Sequence, residues 1–430
     1  MTAVDLSTAV PGPASSRSAQ AAHTRERIVD AASEAFVGRG YRATSLREVA
    51  AAAGISHPGL LKHFASKDDL LAAVVSRFEE SNEIDLASQL EGEDGGSLGF
   101  ATIARRNEAT PGYLALFAAL AGEACSAAHP AHAHMRARYE RLRPMAADAL
   151  ADAADHGVVD ADRDPAGEAI RFIAAWDGLQ LLSQYLPGRI DVAAALEAHQ
   201  DALALPVGWF APDDPAPRSG AASSPGVVPL VEPASGVSGG YRSGRERRER
   251  IVADATALFA SEGYGDTSLR DIADRVGVSK SALLHHFPSK EALLGEVLTE
   301  RDRRVDARLA GQPGTRSADH LRSLPSGAAE NAAREPGLIE LYAVLSGEAA
   351  PSDHPAHAYF TNRFTRAIDS FRELLRAAQK DGDLPSHRDP EFEAVWLIAL
   401  WDGLQYQWLY DRSHDVAAHL RAHLSDLLPH

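Results

Sequence analysis

Two stretches of the chain are near copies of each other. Thr44 to Leu71 reads TSLREVAAAAGISHPGLLKHFASKDDLL and Thr267 to Leu294 reads TSLRDIADRVGVSKSALLHHFPSKEALL, identical at 15 of 28 positions without a gap, at an offset of 223 residues. That likeness is far beyond chance, so one small unit has been used twice, and the repeat constrains every later reading. It starts further upstream, because Arg25-Glu-Arg-Ile-Val answers to Arg248-Glu-Arg-Ile-Val and Phe36 to Phe259 at the same offset.

Each copy opens with a helix. In the first, Ile28, Ala31, Ala32, Ala35 and Phe36 form an apolar stripe at helical spacing, and Gly38 and Gly40 end it. Ser45-Leu-Arg-Glu48 has the form of a capping box that starts a second helix, on which Leu46, Val49 and Ala50 bury together. Gly54 stands where the chain must turn sharply. Ser56 is a good N-cap for a third helix, with Pro58 in its first turn. Two helices joined by a short glycine-containing turn make a helix-turn-helix. Leu60, Leu61 and Phe64 give the third helix an apolar side, and His57, Gly59, Lys62 and His63 lie nearer solvent. The second copy repeats this pattern with Ser268, Asp271, Gly277, Ser279, Leu283, Leu284 and Phe287.

These residues resemble the DNA-binding domain of the tetracycline-repressor family of bacterial regulators, on Thr44-Ser-Leu-Arg-Glu-Val-Ala, Gly54-Ile-Ser, His63-Phe and Ser66-Lys-Asp-Asp-Leu. The second copy follows the family pattern almost throughout, with Asp271-Ile-Ala, Gly277-Val-Ser-Lys and His286-Phe-Pro-Ser-Lys-Glu. Both depart from it where the family carries a tyrosine, at Leu61 and Leu284. The resemblance implies an all-α fold, a tandem duplication of a helix-turn-helix domain plus a helical ligand-binding and dimerisation domain. It also implies a double-stranded DNA operator and a small-molecule effector, as yet unknown, as partners. By resemblance, Thr44, Ser45, Arg47, Ser56, His57, Lys62 and Lys67 face DNA in the first head, and Thr267, Ser268, Arg270, Ser279, Lys280, Ser281, His285 and Lys290 in the second, with Lys67 and Lys290 on phosphate.

The repeat extends beyond these heads. Pro111-Gly matches Pro336-Gly, Gly122-Glu-Ala matches Gly347-Glu-Ala, His129-Pro-Ala-His matches His354-Pro-Ala-His, and Trp176-Asp-Gly-Leu-Gln matches Trp401-Asp-Gly-Leu-Gln, now at an offset of 225. A whole regulator has therefore been duplicated. The expected organisation is a disordered arm over 1–22, a first head over 23–80, a first helical domain over 81–205, a linker over 206–241, a second head over 242–303 and a second helical domain over 304–430. The linker reading rests on the Pro, Gly, Ser and Ala crowded between Pro206 and Gly240. A flexible coil of this length lets the two copies meet, so an intramolecular pseudo-dimer is expected, with a homodimer of two chains as the competing arrangement.

Charge bears on the partner. The net charge of −17 is unusual for a DNA-binding protein, but His23 to Leu71 and Arg242 to Leu294 carry +1 each and the remainder −19, which turns the heads toward DNA and repels it elsewhere. Arg242, Arg245, Arg247 and Arg248 offer a basic arm before the second head, or equally a solvated helix start. The single cysteine, Cys125, forms no internal disulfide, the start of the chain lacks the apolar core of a signal peptide, and no apolar run spans a bilayer; a cytoplasmic location away from membrane is the default expectation.

His129, His132 and His134 do not by spacing define a coordination sphere, so no metal and no cofactor is expected. Gly178 and Gly403 would let two apolar helices approach closely, and packing is favoured over catalysis for Asp177 and Asp402. Phe117, Tyr139, Trp176, Tyr342, Phe364 and Trp401 are candidates for lining ligand cavities, though aromatics at helical spacing are more often core. No nucleophile and base pair, phosphate-cradling loop or zinc spacing argues for an enzyme. The leading expectation is a ligand-responsive DNA-binding repressor. The alternative is a helical ligand-binding or protein-interaction module whose heads no longer bind DNA.

Overall fold

The computed structural model describes residues 13–41, 44–90, 98–110, 112–217, 230, 242–262, 264, 267–309, 315–334 and 336–429. Among them there is no strand, and the chain forms two compact units, Met1–Glu83 and Ile84–His430.

The first unit holds α1 (Pro13–Arg39), α2 (Leu46–Ala52), α3 (His57–Leu60) and most of α4 (Lys67–Leu90). Ile28, Ala32 and Phe36 of α1 meet Val49, Leu60, Phe64, Leu70 and Val74 in one small core. Gly40 leaves α1 in the left-handed region at φ 79°, and Ser45 and Glu48 form the expected capping box. α1 corrects one expectation. It begins at Pro13, so residues 13–22 are helical where the composition suggested a disordered arm; Ala, Ser, Gln and Arg are tolerable helix formers when an adjoining amphipathic helix supplies the nucleus. Residues 1–12 lie outside the described residues.

In the second unit the chain runs through α5 (Phe100–Ala109), α6 (Tyr113–Glu123), α7 (His132–Asp155), α8 (Pro165–Tyr185) and α9 (Val192–Ala202). The second copy follows as α10 (Arg242–Glu262), α11 (Leu269–Val276), α12 (Lys280–His286), α13 (Lys290–Leu309), α14 (Ser317–Arg334), α15 (Pro336–Glu348), α16 (His357–Lys380), α17 (Pro390–Tyr410) and α18 (Val416–Leu427). α8 and α17 start alike: Asp164 and Asp389 cap the first turn with their carboxylates, and Pro165 and Pro390 follow at the position where a missing N–H costs least.

α8 and α17 pack on each other through the expected glycines. A Cβ on Gly178 would lie 2.0 Å from Ala399 O, and one on Gly403 would lie 1.7 Å from Ala174 O, so only glycine allows this crossing from either side. Gly122 and Gly347 make a second close crossing of α6 on α15. The contacts are reciprocal. Tyr185 donates to Ser346 O at 2.6 Å and Tyr410 to Ala121 O at 3.0 Å, while Tyr185 stacks on His357 and Tyr410 lies over His132. The two helical domains are thus joined about a pseudo-two-fold axis. Buried ionic groups lie there too: Asp426 receives Arg163 Nη2 at 3.3 Å and Arg388 Nη2 at 2.9 Å, and Glu168 and Glu393 pair with the same two arginines.

The linker departs from a free coil at its start. Its start is docked, with Gly208 N donating to Asp426 at 2.8 Å, Asp214 accepting from Ser386 N at 3.0 Å, and Trp209 against His387. Polar backbone groups next to a buried carboxylate gain more from that partner than a coil gains in entropy. Residues 218–229 and 231–241 lie outside the described residues.

Candidate nucleic-acid interface and effector cavity

Each head presents its helix-turn-helix through the same local chemistry. Ser45 Oγ accepts from Glu48 N while the Glu48 carboxylate takes Ser45 N at 2.8 Å, and that backbone donor, with the Ser45 hydroxyl, holds Glu48 below the usual carboxylate range. Ser268 and Asp271 do the same in the second head, where the Ser268 hydroxyl and N–H lower Asp271. Ser56 and Ser279 cap the following helices by accepting from Gly59 N and Ala282 N, both at 3.2 Å.

The two recognition helices differ in length. α3 covers only His57–Leu60 and continues in tighter i→i+3 bonds, Lys62 N to Gly59 O and His63 N to Leu60 O. α12 runs regularly over Lys280–His286. Gly59 in place of Ala282 accounts for this, since glycine is the weakest helix former after proline.

Of the residues expected to face DNA, Ser45, Arg47, Ser56 and Lys62 are exposed in the first head, and His57 and Lys67 half-exposed. In the second, Ser268, Arg270, Ser279, Lys280, Ser281 and His285 are exposed and Lys290 half-exposed. Thr44 and Thr267 are different. They are 2% and 1% exposed, and the Thr44 hydroxyl donates inward to Gly40 O at 2.9 Å, so neither side chain is presented at the surface as expected, and that of Thr44 closes the end of α1. Of the suggested basic arm, the side chains of Arg242 and Arg245 lie outside the described residues, Arg247 is exposed, and Arg248 pairs with Glu296 at 2.9 Å. Leu61 and Leu284 are 41% and 37% exposed at equivalent places.

Two positioning residues were missed in the sequence. The ammonium of Lys67 lies 4.2 Å from the centre of the Tyr41 ring, and that of Lys290 lies 4.1 Å from the Tyr264 ring. Each tyrosine hydroxyl donates to the next acid on the helix, Asp68 or Glu291. A ring held in this way keeps the lysine at the N-terminus of α4 or α13, where an anion is favoured. The matching offset of Tyr41 and Tyr264 was the available signal.

A partly open cavity of about 430 Å³ lies in the second helical domain, with Arg301 of α13 and Leu230 in its lining. Trp401, Trp408, Ile398 and Phe371 supply apolar wall, Ser326, Gly327 and Ala328 leave room, and Arg301, Arg363, Asp402, Gln405 and Asn331 supply polar groups. Burial pushes the Asp402 carboxyl up to about 6, against the pull of Arg363 and Arg301. Arg363 donates to Tyr342 Oη at 2.7 Å and to Asp302 at 3.1 Å, and Arg301 also donates to Asp302, at 2.9 Å. Asp302, fully buried on α13, thus ties the cavity wall to the last helix of the second head.

Among the six aromatic candidates, only Trp401 lines this cavity. Tyr342 stands behind it, its hydroxyl 3.4 Å from Asp402. Phe364 and Tyr139 pack across the pseudo-two-fold axis, against Tyr185 and Tyr410. Phe117 packs on Tyr113 within the first copy, and Trp176 on Phe100 and Phe172. At the place equivalent to Pro325 in the second copy, Phe100 thus stands 4.6 Å from Phe172, filling the region beside Trp176. The three histidines are also in use: His132 Nδ1 bonds Ala124 O at 2.8 Å, His129 Nδ1 accepts from Ala131 N, and His134 stands on the first turns of α7. No described helix is long and apolar enough to cross a membrane.

Comparison with known families matches residues 28–74 and 251–297 to bacterial regulatory proteins of the tetR family, and residues 100–205 and 327–429 to the C-terminal domain of BetI-type transcriptional repressors. Relatives include the transcriptional repressor KstR2 of Rhodococcus jostii (strain RHA1), 31% identical over 40% of this chain and 84% of the relative. The regulator SrpR of Pseudomonas putida is 35% identical over 41% of this chain and 80% of the relative. Among solved structures, Salmonella enterica GusR covers 43% of this chain and 96% of its own at 25% identity, with a TM-score of 0.37. A regulator from Saccharomonospora viridis in complex with choline covers 42% and 95% at 26% identity, also with a TM-score of 0.37. Each relative accounts for about one copy. With both domain models matched twice and in order, the chain belongs to the tetR family of bacterial regulatory proteins, two units of it in one polypeptide.

Proposed function

We propose that this regulator is a ligand-responsive repressor that reads one DNA site with the two heads of a single chain, its helical domains serving as an intramolecular pseudo-dimer. The observation that carries the reading is the junction at Asp302. A ligand in the second cavity touches Arg301 and Arg363, both of which hold Asp302 on α13, so occupancy changes how the second head is held. The tryptophans favour a flat apolar body, and Asp402 and the amides of Gln405 and Asn331 favour a ligand that also carries hydrogen-bond donors. Heads as unlike as His57-Pro-Gly and Lys280-Ser-Ala support an imperfect palindrome with unequal half-sites.

The test has two arms. A mobility-shift assay on the DNA flanking the gene should give a retarded complex, and Lys67→Ala or Lys290→Ala should lower its salt slope by about one unit. A thermal-shift screen of metabolites should find a compound that raises the midpoint and releases the DNA. Failure to bind any flanking duplex would favour the module without DNA binding, a reading kept open by Leu61 and Leu284. A ligand that raises the midpoint and leaves the DNA complex intact would remove the regulatory role of the cavity.

A further inference from the structure

Contacts that are the same from both sides of the pseudo-two-fold axis cannot decide which half pairs with which. The crossings at Gly178 and Gly403 and the reciprocal tyrosines would serve two first halves or two second halves equally well. Only the residues that differ between copies can discriminate, and those that set like charge against like are the ones able to reject a partner.

Three arginines of the first half reach carboxylates of the second. Arg143 lies 3.8 Å from Asp411, Arg163 lies 3.3 Å from Asp426, and Arg189 lies 3.0 Å from Asp369 and 2.9 Å from Glu391. The arrangement has no mirror image. In the first copy the places of Asp411, Asp426, Asp369 and Glu391 are held by Leu186, Ala202, Pro144 and Ala166, and in the second copy the place of Arg143 is held by Ile368. Near the axis the same bias is buried. The first half supplies Arg163, Arg171 and Glu168, a net +1, and the second supplies Arg388, Glu393 and Asp426, a net −1. His199 and His423, which face each other in this cluster, are kept neutral by burial and do not enter the count.

We infer that this one-way distribution of charge makes the first half complementary to the second half and to no copy of itself, so that the interface selects first-with-second pairing, which the tether makes intramolecular. The inference rests on the pseudo-dimer proposed above. Two first halves would face each other with +2 near the axis and two second halves with −2, without the water that could screen either. Like charges set against each other are the usual means by which an interface rejects a geometrically acceptable partner.

The half-exposed pairs allow a test in the full chain. One variant, R143E/R189E, turns the first half acidic; a second, D411R/E391R, turns the second half basic. Each alone has two halves of like sign and should show a midpoint lowered by several degrees, and each should remain a single chain in light scattering. Mixed in equal amounts, the acidic first half of one variant becomes complementary to the basic second half of the other, while the unaltered first and second halves match as before, and a complex of twice 45.8 kDa should form. The fourfold variant R143E/R189E/D411R/E391R restores complementarity within one chain and should recover the wild-type midpoint, which separates loss of pairing from loss of folding. Absence of the mixed complex, with the fourfold variant recovered, overturns the inference, as does a two-chain complex formed by either variant alone. A stable pair of wild-type chains would instead remove the pseudo-dimer beneath it.

Discussion

The two helical domains use one arginine and one aspartate at matching places and end with different interiors. Arg138 and Arg363 correspond, as do Asp177 and Asp402. In the first domain Asp177 accepts from Tyr139 on α7 at 2.7 Å, while in the second Asp402 faces Tyr342 on α15 at 3.4 Å. The hydroxyl has moved from one helix to its neighbour: the counterpart of Tyr139 is Phe364, and the counterpart of Tyr342 is Phe117. In the first domain Phe100 packs tilted on Phe172 and edge-on to Trp176; beside the second aspartate, small residues leave a cavity. On the function proposed above, a duplicated domain keeps its packing frame and divides its duties, the second copy serving as receptor.

The shared frame should give the largest effects, and they should be equal. Gly178→Ala and Gly403→Ala each push a methyl into a backbone carbonyl, and each should cost about 3 kcal/mol or more in urea unfolding. A large difference between them would break the claim of a symmetric crossing.

The next effect belongs to one domain. Asp402 has its carboxyl raised from 3.8 to about 6, so the folded chain binds the proton more tightly than the unfolded chain. Its contribution to stability is therefore present below about pH 4 and lost as pH rises through about 6, by up to about 3 kcal/mol. His423, pushed down to about 3 chiefly by burial, acts in the opposite sense, with stability gained as pH rises through that window. The difference between wild type and Asp402→Asn, followed from pH 4 to 7, isolates the carboxyl and should shift against wild type as pH rises. A flat difference would show that Asp402 does not titrate in the fold.

The smallest effect sharpens the division of duties. Phe100 is only half-buried, so Phe100→Ala should cost about 1–2 kcal/mol and leave the effector-induced rise in midpoint intact. Gly327→Phe, at a position with open space around it, should abolish that rise by filling the second cavity. The reverse pattern in the same thermal-shift assay would move the receptor to the first copy.

Much of this architecture was legible in the residues. Capping boxes, turn glycines and the close crossing at Gly178 and Gly403 are local or small-residue signals that carry their own geometry. What was not legible depended on direction and on empty space. Thr44 and Ser45 are adjacent small hydroxyl residues, and only the packing of α1 against α2 turns one inward and the other outward. Of the aromatic candidates only Trp401 reaches the cavity and the others were spent on core and interface; its room comes from Ser326, Gly327 and Ala328, which mark a place by what they do not fill. The docked start of the linker depends on Asp426, more than two hundred residues away, and composition says nothing of such a partner.

The displaced tyrosine also bears on inheritance. Tandem repeats invite recombination that deletes one copy and joins the remainder into a single unit. A crossover between the two conserved His-Pro-Ala-His segments and the helices before them could leave Phe117 on one side of the joint and Phe364 on the other, giving Asp402 no hydroxyl from either helix. The reciprocal product would set Tyr342 and Tyr139 at one aspartate. Neither hybrid reproduces an arrangement found in the parent, so a single unit made by such a crossover would have to rebuild this buried contact.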